Sequence, residues 1–294
     1  MAAPRVNPRA ALLLGCALLA SGAQPTAAQP YLAKPIRIIA PFAPGGGIDF
    51  IARVAAQKLT ESFGTTVLVE NRAGAGGTVG TEAGMRAPPD GYTFVMVATS
   101  YATSASLYKL AFDPVADITP VIQLSQGPLL IVAHPALPVT GVRDLIALAR
   151  ARPDQIAYAS GGTGGIIHLA TALFIDKAGL KIIHVPYKGL GPALTDLVAG
   201  QVQVLFGSIT ATLPQVKSGR LRPLAVTTPK RSGAAPEIPT VDESGLKDYA
   251  VTQWHGLLAP KGLPKAILNR MNEGLNRIVL SRDMHEKLAG DGVE

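Results

Sequence analysis

The sequence predicts an α/β protein built from two successive units, each a mainly parallel sheet with helices on its faces. Two observations carry this reading. Short apolar runs suited to buried strands alternate with runs of helical periodicity. A strand–glycine loop–helix arrangement also occurs twice, around Pro44–Asp49 and around Ser160–Gly165, in corresponding places of the two units. The composition agrees. Of 294 residues, 48% are hydrophobic and 16% charged, and 31 Gly with 24 Pro require many turns between short elements.

In the first unit, Ile36–Ala40 is nearly continuous apolar sequence, as in a strand covered on both faces. Ile51, Val54, Ala55 and Leu59 recur at helical spacing, and Gly64 stands where that helix stops. Thr65–Asn71 is a second strand, followed by the loop, short helix and Pro-Asp-Gly turn of "AGAGGTVGTEAGMRAPPDGY". Thr93–Ser100 is a third strand ending in small hydroxyl residues. The second unit holds strands at Pro128–Pro135, "QIAYAS", "KIIHVP", "VQVLFGS" and Leu221–Thr228. Its helices are a segment opened by Thr140 and stopped before Pro153, then "IIHLATALFIDKAG", "GPALTDLVAGQ" and "LPQVKSGR". A last strand, "VTQWHGLLAP", and the amphipathic helix "PKAILNRMNEGLNRIVL" follow. The expected domains are residues 29–130, then 131–250, then a return to the first over 251–294. Hinge crossings are expected near Gln126–Ile131 and Ala250–Trp254.

Residues 1–28 read as a secretory signal peptide: Arg5 and Arg9, an apolar run from Ala10 to Ala20, then small residues up to Ala28. That run is too short to span a bilayer permanently. Cleavage after Ala28 exports the chain to the periplasm and lowers its formal charge from +7 to +5, since two arginines and no acid leave. Cys16, the single cysteine, lies in "LLGC", which is similar to a lipoprotein cleavage box. The apolar run continues past it through "ALLA", so plain cleavage is expected over a lipid anchor. The mature chain then has no thiol and depends on its core, which this length can supply. Basic residues are scattered, with "PKRS" at Pro229–Ser232 the longest local run, and this argues against nucleic acid as a partner.

A glycine-rich loop is often only a tight turn that needs positive φ. It can also leave bare the N–H groups of a helix's first turn, where the helix dipole adds positive charge and an anion can approach the backbone. Two such loops in corresponding places favour an anion site. Phosphate signatures are absent: neither loop ends in Gly-Lys-Ser/Thr, and around Gly74–Gly80 the third glycine falls in the wrong place for G-x-G-x-x-G. Asp49 can cap the first helix, where it would compete with a doubly charged phosphate, so a carboxylate suits the site better. Ligands of open α/β sheets bind beyond the carboxyl ends of strands, so two units side by side would enclose a cleft.

No catalytic residue, metal or cofactor is expected. G-x-S-x-G is absent, and the histidines at 134, 168, 184, 255 and 285 form no H-E-x-x-H pair. His168 lies in the helix after the second loop and either faces the cleft or serves the structure. His184, inside an apolar strand, reads as structural. Tyr187 and Lys188 follow a strand end, and Trp254 beside His255 reads as core or hinge packing.

Five blocks carry a resemblance: "PIRIIAPFAPGGGIDFIAR", "VLVENRAGAGGTVGTEAGMRAPPDGYT", "IAYASGGTGGIIHLATALF", "HVPYKGLGPALTDLVAGQV" and "LRPLAVTTPKRSGAAPEIPTVDESGL". In this order, and from about Lys34 onward, the chain resembles the extracytoplasmic solute receptors of the tripartite tricarboxylate transporter family, the Bug receptors. The resemblance implies a two-domain periplasmic-binding-protein (Venus flytrap) fold and a monomer. It also implies capture of a small organic acid in the interdomain cleft and delivery to a membrane transporter of that type. The acid's oxygens would be held by loop N–H groups, hydroxyls and ordered waters, with few salt bridges. By position, the first loop supplies Phe42, Ala43, Gly46, Gly47 and Asp49. The second supplies Ser160, Thr163, Gly164 and Gly165, with His168 behind it. Thr99, Ser100, Tyr187, Gly207 and Ser208 line the remaining walls.

Two departures from the family pattern matter. Many members carry further Ser or Asn groups where this chain has Gly161, Thr163, Gly165, Ile166 and Ile167, so a less polar ligand than citrate is expected, an aromatic or short monocarboxylate. Members also usually continue past a "LAGDGVE"-like segment, so a terminal helix is expected to be missing after Glu294. A sensory role, with the closed receptor docking on a signalling ectodomain, uses the same cleft. An ester hydrolase would need an activated Ser or His that the sequence does not display.

Overall fold

Strand β1 (Ile36–Ala40) is apolar because both its faces are covered: Ile36, Ile38, Ile39 and Ala40 are fully buried in this computed structural model. Residues 31–290, 292 and 293 are described, so the expected signal peptide and Cys16 lie outside the described residues. Helix α1 (Gly47–Phe63) follows β1 and buries Ile51, Val54, Ala55 and Leu59. It ends at Gly64, which takes the left-handed conformation (φ 67°) and donates its N–H to the Thr60 carbonyl. β2 (Val67–Asn71), a 3₁₀ turn (Ala75–Gly77), α2 (Thr78–Met85) and the fully buried β3 (Thr93–Ala98) complete the first stretch.

The expected third strand is two residues too long. It stops at Ala98, and Thr99 and Ser100 open a helix, α3 (Ser100–Leu107). The apolar run ends there, and polar residues with small side chains continue, which suits a helix start as readily as a strand end. Strand β4 (Ile118–Ala133) in turn starts ten residues before the expected Pro128. Pro120 and Pro128 hide it in the sequence, and shifts of register beside Pro120 and between Gln123 and Ser125 absorb the irregularity.

Beyond β4 the elements are α4 (Val142–Ala151), β5 (Ala157–Ser160), α5 (Ile166–Ala178), β6 (Ile183–Pro186) and α6 (Leu190–Val198). Then come β7 (Val204–Ser208), α7 (Ile209–Lys217) and β8 (Arg222–Val226). β9 (Thr252–Pro260), α8 (Lys265–Val279) and α9 (Arg282–Gly290) close the chain.

The strands run in the order β2-β1-β3-β9-β4-β7-β5-β6, with β8 paired to β4. The flanks are parallel, as expected: β1 with β2 and β3, and β5 with β6 and β7. The centre is antiparallel, because β9 lies between β3 and β4, and β4 also runs against β7 and β8. β4 joins the two halves. Its residues up to Pro128 pair with β9, and from Leu129 on it pairs with β7 and then β8. This exchange of partners falls inside the expected crossing Gln126–Ile131.

Candidate functional site

The loop from Pro41 to Gly46 joins β1 to α1 and is pinned from behind by Asp49. The Asp49 carboxylate is buried and accepts hydrogen bonds from the Gly45 N–H (3.1 Å), the Arg53 guanidinium (3.0 Å) and the Asn71 amide (2.9 Å). The same Asn71 amide donates to the Phe42 carbonyl (3.0 Å). Burial alone would raise the Asp49 pKa, but the bonds from Arg53, Asn71 and Gly45 outweigh it and hold the carboxyl below its usual range. With its oxygens engaged, Asp49 shapes the loop rather than offering them to a ligand. No side chain caps the helix at Gly46, so the first N–H groups of α1 stay bare.

The second loop, Ser160–Gly165, leads from β5 to α5. Gly162 (φ 131°) and Gly164 (φ 76°) adopt backbone conformations that other residues rarely reach. Ser160 Oγ accepts the Gly162 N–H and lies 2.6 Å from His184 Nε2. His168 Nδ1 accepts the Gly164 N–H at 3.1 Å. Burial lowers the His168 pKa, which keeps it neutral and able to accept that bond. His168 stacks on His184, and His184 on Tyr158, so the imidazoles form a scaffold under the loop. At Gly165, too, no side chain caps the helix.

The two helix starts face one cavity of about 50 Å³. Gly46, Gly47 and Ile48 line it from α1, and Gly165, Ile166 and Ile167 from α5. Phe42, Ala43, Ala98 and Leu190 complete apolar walls, Asp49 and Gly161 border it, and Ser100 and Gln253 are its remaining polar side chains. Among the described residues, no Lys, Arg or His side chain lines it. Beside it, sharing Phe42 and Gly161, lies an open cleft of about 680 Å³ bordered by Gly76, Tyr108, Thr163, Tyr187 and Lys188.

The expected site residues therefore separate into three groups. Phe42, Ala43, Gly46, Gly47, Asp49, Ser100 and Gly165 meet around the cavity. Thr163 and Tyr187 border the outer cleft, and the Tyr187 hydroxyl donates to Asp196 (2.7 Å). The rest stand behind the walls. Thr99 Oγ1 accepts the Trp254 N–H, Ser160, Gly164 and His168 brace the second loop, and Ser208 Oγ pairs with Thr210. A Cβ on Gly207 would meet the Thr212 side chain, and one on Gly47 would lie 2.5 Å from Ser208 Oγ. Gln253 and Leu190 were not singled out from the sequence. The one available signal for Gln253 is an amide at the start of an otherwise apolar strand.

Among the described residues, no three His, Cys, Asp or Glu side chains come together as metal ligands, and no helix is long and apolar enough to cross a membrane. Two sheet halves joined by shared strands, with paired helix starts facing a cavity between them, define a solute-binding receptor. A family model described as the tripartite tricarboxylate transporter family receptor matches residues 51–294, and the chain belongs to that family. It is 37% identical over 273 residues to Protein BugT of Bordetella pertussis, covering 92% of this chain and 84% of that one. The solved structure of R. palustris Rpa4515 with adipate superposes with a TM-score of 0.87 at 35% identity, covering 90% and 89% of the two chains. MatC (Rpa3494) from Rhodopseudomonas palustris with bound malate follows at 0.84 and 30%, covering 89% and 90%. The family is one of receptors, and this chain is a receptor, not an enzyme.

Proposed function

We propose that the protein is a periplasmic receptor that holds a short carboxylate in the cavity between α1 and α5. From there it hands the acid to a membrane transporter of the tripartite tricarboxylate type. The observation that carries this reading is the convergence of two helix starts, uncapped by side chains, on one apolar cavity without a cationic side chain. Each helix start contributes bare N–H donors and a dipole worth about 0.3–1 kcal/mol towards an anion, rising to about 2 when partly buried. Charge-assisted bonds to those donors add about 1.5–3 kcal/mol each. Adipate and malate in related receptors support an organic acid as the ligand class.

The size of the cavity narrows the ligand. It measures about 50 Å³, whereas roughly 150 Å³ encloses a benzene ring. A short acid fits this cavity better than an aromatic one, and Ile166 and Ile167 stand where a polar ligand would want hydroxyls or amides.

The test is a thermal-shift screen of protein stripped of ligand by unfolding and refolding, against two- to six-carbon acids, citrate and benzoate. An acid at a hundred times its dissociation constant stabilises by about 2.7 kcal/mol, a shift of a few degrees. The effect is expected for a short acid and lost for its amide. A well-folded protein that ignores every acid would sink the proposal.

A further inference from the structure

We propose that Gln253 and Ser100 select the ligand's second functional group, and that this group is a hydroxyl: the preferred ligand is a short hydroxy acid. The inference rests on the reading of the cavity as a carboxylate site.

The sheet brings the two residues together. β3 and β9 pair Val97 with Gly256 and Ala98 with His255, so the chain turns from β3 into α3 beside the start of β9 and brings Ser100 and Gln253 to the same cavity wall. The Trp254 N–H donates to Thr99 Oγ1 at 3.0 Å and fixes this junction. Both side chains are more than nine-tenths buried, with exposures of 6% for Ser100 and 8% for Gln253, and both line the cavity. The Ser100 carbonyl accepts the Thr103 hydroxyl. Among the described residues, neither the Ser100 hydroxyl nor the Gln253 amide has a hydrogen-bond partner. Their polar atoms are therefore open to the cavity rather than sealed in the core, and two such groups on one wall offer hydrogen bonds that a bound ligand can take up.

Their chemistry differs from that of the helix starts. Backbone N–H groups only donate, and a carboxylate only accepts, so the starts of α1 and α5 suit the carboxylate. A Gln amide and a Ser hydroxyl each donate and accept. The other acceptor bordering the cavity, the Asp49 carboxylate, is engaged by Arg53, Asn71 and Gly45. A second carboxylate could accept from the amide N–H and the Ser100 hydroxyl but would leave the Gln253 carbonyl without a donor, with no cation on the cavity wall to offset its charge. A hydroxyl instead gives its proton to the Gln253 carbonyl and accepts from Ser100 or from the amide N–H. Either orientation of the amide serves.

The test is calorimetry on the full mature protein with matched acids of two to four carbons: glycolate against acetate, lactate against propionate, 3-hydroxybutyrate against butyrate, and succinate as the diacid. Wild type is expected to bind the best hydroxy acid at least about tenfold more tightly than its deoxy partner and than succinate. In Gln253→Leu the ratio within the best pair should fall below about threefold, with Ser100→Ala between the two. The ratio is read inside each variant, after its melting transition shows that it folds. Equal binding of the pair by wild type, a preference for succinate, or a ratio that survives in both variants overturns the inference and leaves the carboxylate reading standing. A folded wild type that binds none of these acids overturns the inference, and one that also ignores every acid of the thermal-shift screen overturns both.

Discussion

Asp49 and His255 show two ways in which the fold accommodates a buried polar side chain. Asp49→Ala removes one acceptor from Gly45, Arg53 and Asn71 together. It should cost about 1–3 kcal/mol in urea unfolding. The Asp49 pKa is depressed in the folded state, so its contribution is present above the unfolded value of 3.8 and is lost as pH falls through the lower folded one. His255 behaves differently. It is a buried residue of β9, its Nδ1 lies 3.0 Å from Ser125 Oγ, and among the described residues its Nε2 has no hydrogen-bond partner. Burial pushes its pKa down to about 4, against 6.5 when unfolded. Between those values the unfolded chain binds a proton that the folded one refuses, so stability falls as pH drops from 6.5 to 4. For His255 the full effect is about 3 kcal/mol. Half-buried His184, also pushed down to about 4 by burial and by His168, adds a smaller loss of the same sign. Urea titrations at pH 4.5 and 7 should show the slope, and His255→Gln should flatten it.

At the scale of elements, loops of the two halves meet across the cleft through glycines. The Ala43 N–H donates to the Lys188 carbonyl at 3.1 Å, and the Tyr108 hydroxyl donates to the Thr163 carbonyl. A Cβ on Gly191 would run into the Pro44 carbonyl oxygen, and one on Gly189 would lie 2.8 Å from the Ala43 nitrogen. Glycine is required at both positions, by close approach at Gly191 and also by φ 152° at Gly189. Gly191→Ala should therefore weaken carboxylate binding at least about tenfold in calorimetry, because backbone rather than a flexible side chain blocks the approach. Tyr108→Phe, which removes one hydrogen bond between the loops, should raise the rate of ligand release by about tenfold or less in stopped flow.

For the whole molecule, we propose the exchange of β4's partners between Pro128 and Leu129 as the place where the halves rotate. The second crossing, Ala250–Trp254, leads into β9 beside it. Hinges concentrate φ/ψ changes in a few residues at element ends, and ligand contacts to both halves bias the closed form. Small-angle scattering of stripped protein should show a larger radius of gyration than protein saturated with its acid. A Gly191→Val variant should stay at the larger radius at the same ligand concentration. A radius that never changes would argue for a rigid cleft.

By itself the sequence determined the alternation of strands and helices, both glycine loops and the family. These follow from periodicity and from local steric demands, which a chain displays without its neighbours. Of the seven nominated residues that meet around one cavity, the five from Phe42 to Asp49 lie in one loop and a helix's first turn, where sequence distance and spatial distance agree, and the fold brings Ser100 and Gly165 to them. Tertiary structure alone decided the antiparallel centre of the sheet, the length of β4 across its two prolines, and the place of Gln253. Ser100 and Gln253 are 153 positions apart, and only the pairing of β3 with β9 brings them to one cavity wall. The same holds for Asp49, whose type suggests a ligand contact or a cap. Its role as a brace depends on where Asn71 arrives from β2. Long-range pairing fixes which polar groups are satisfied and which remain open to a ligand, and no local pattern carries that information.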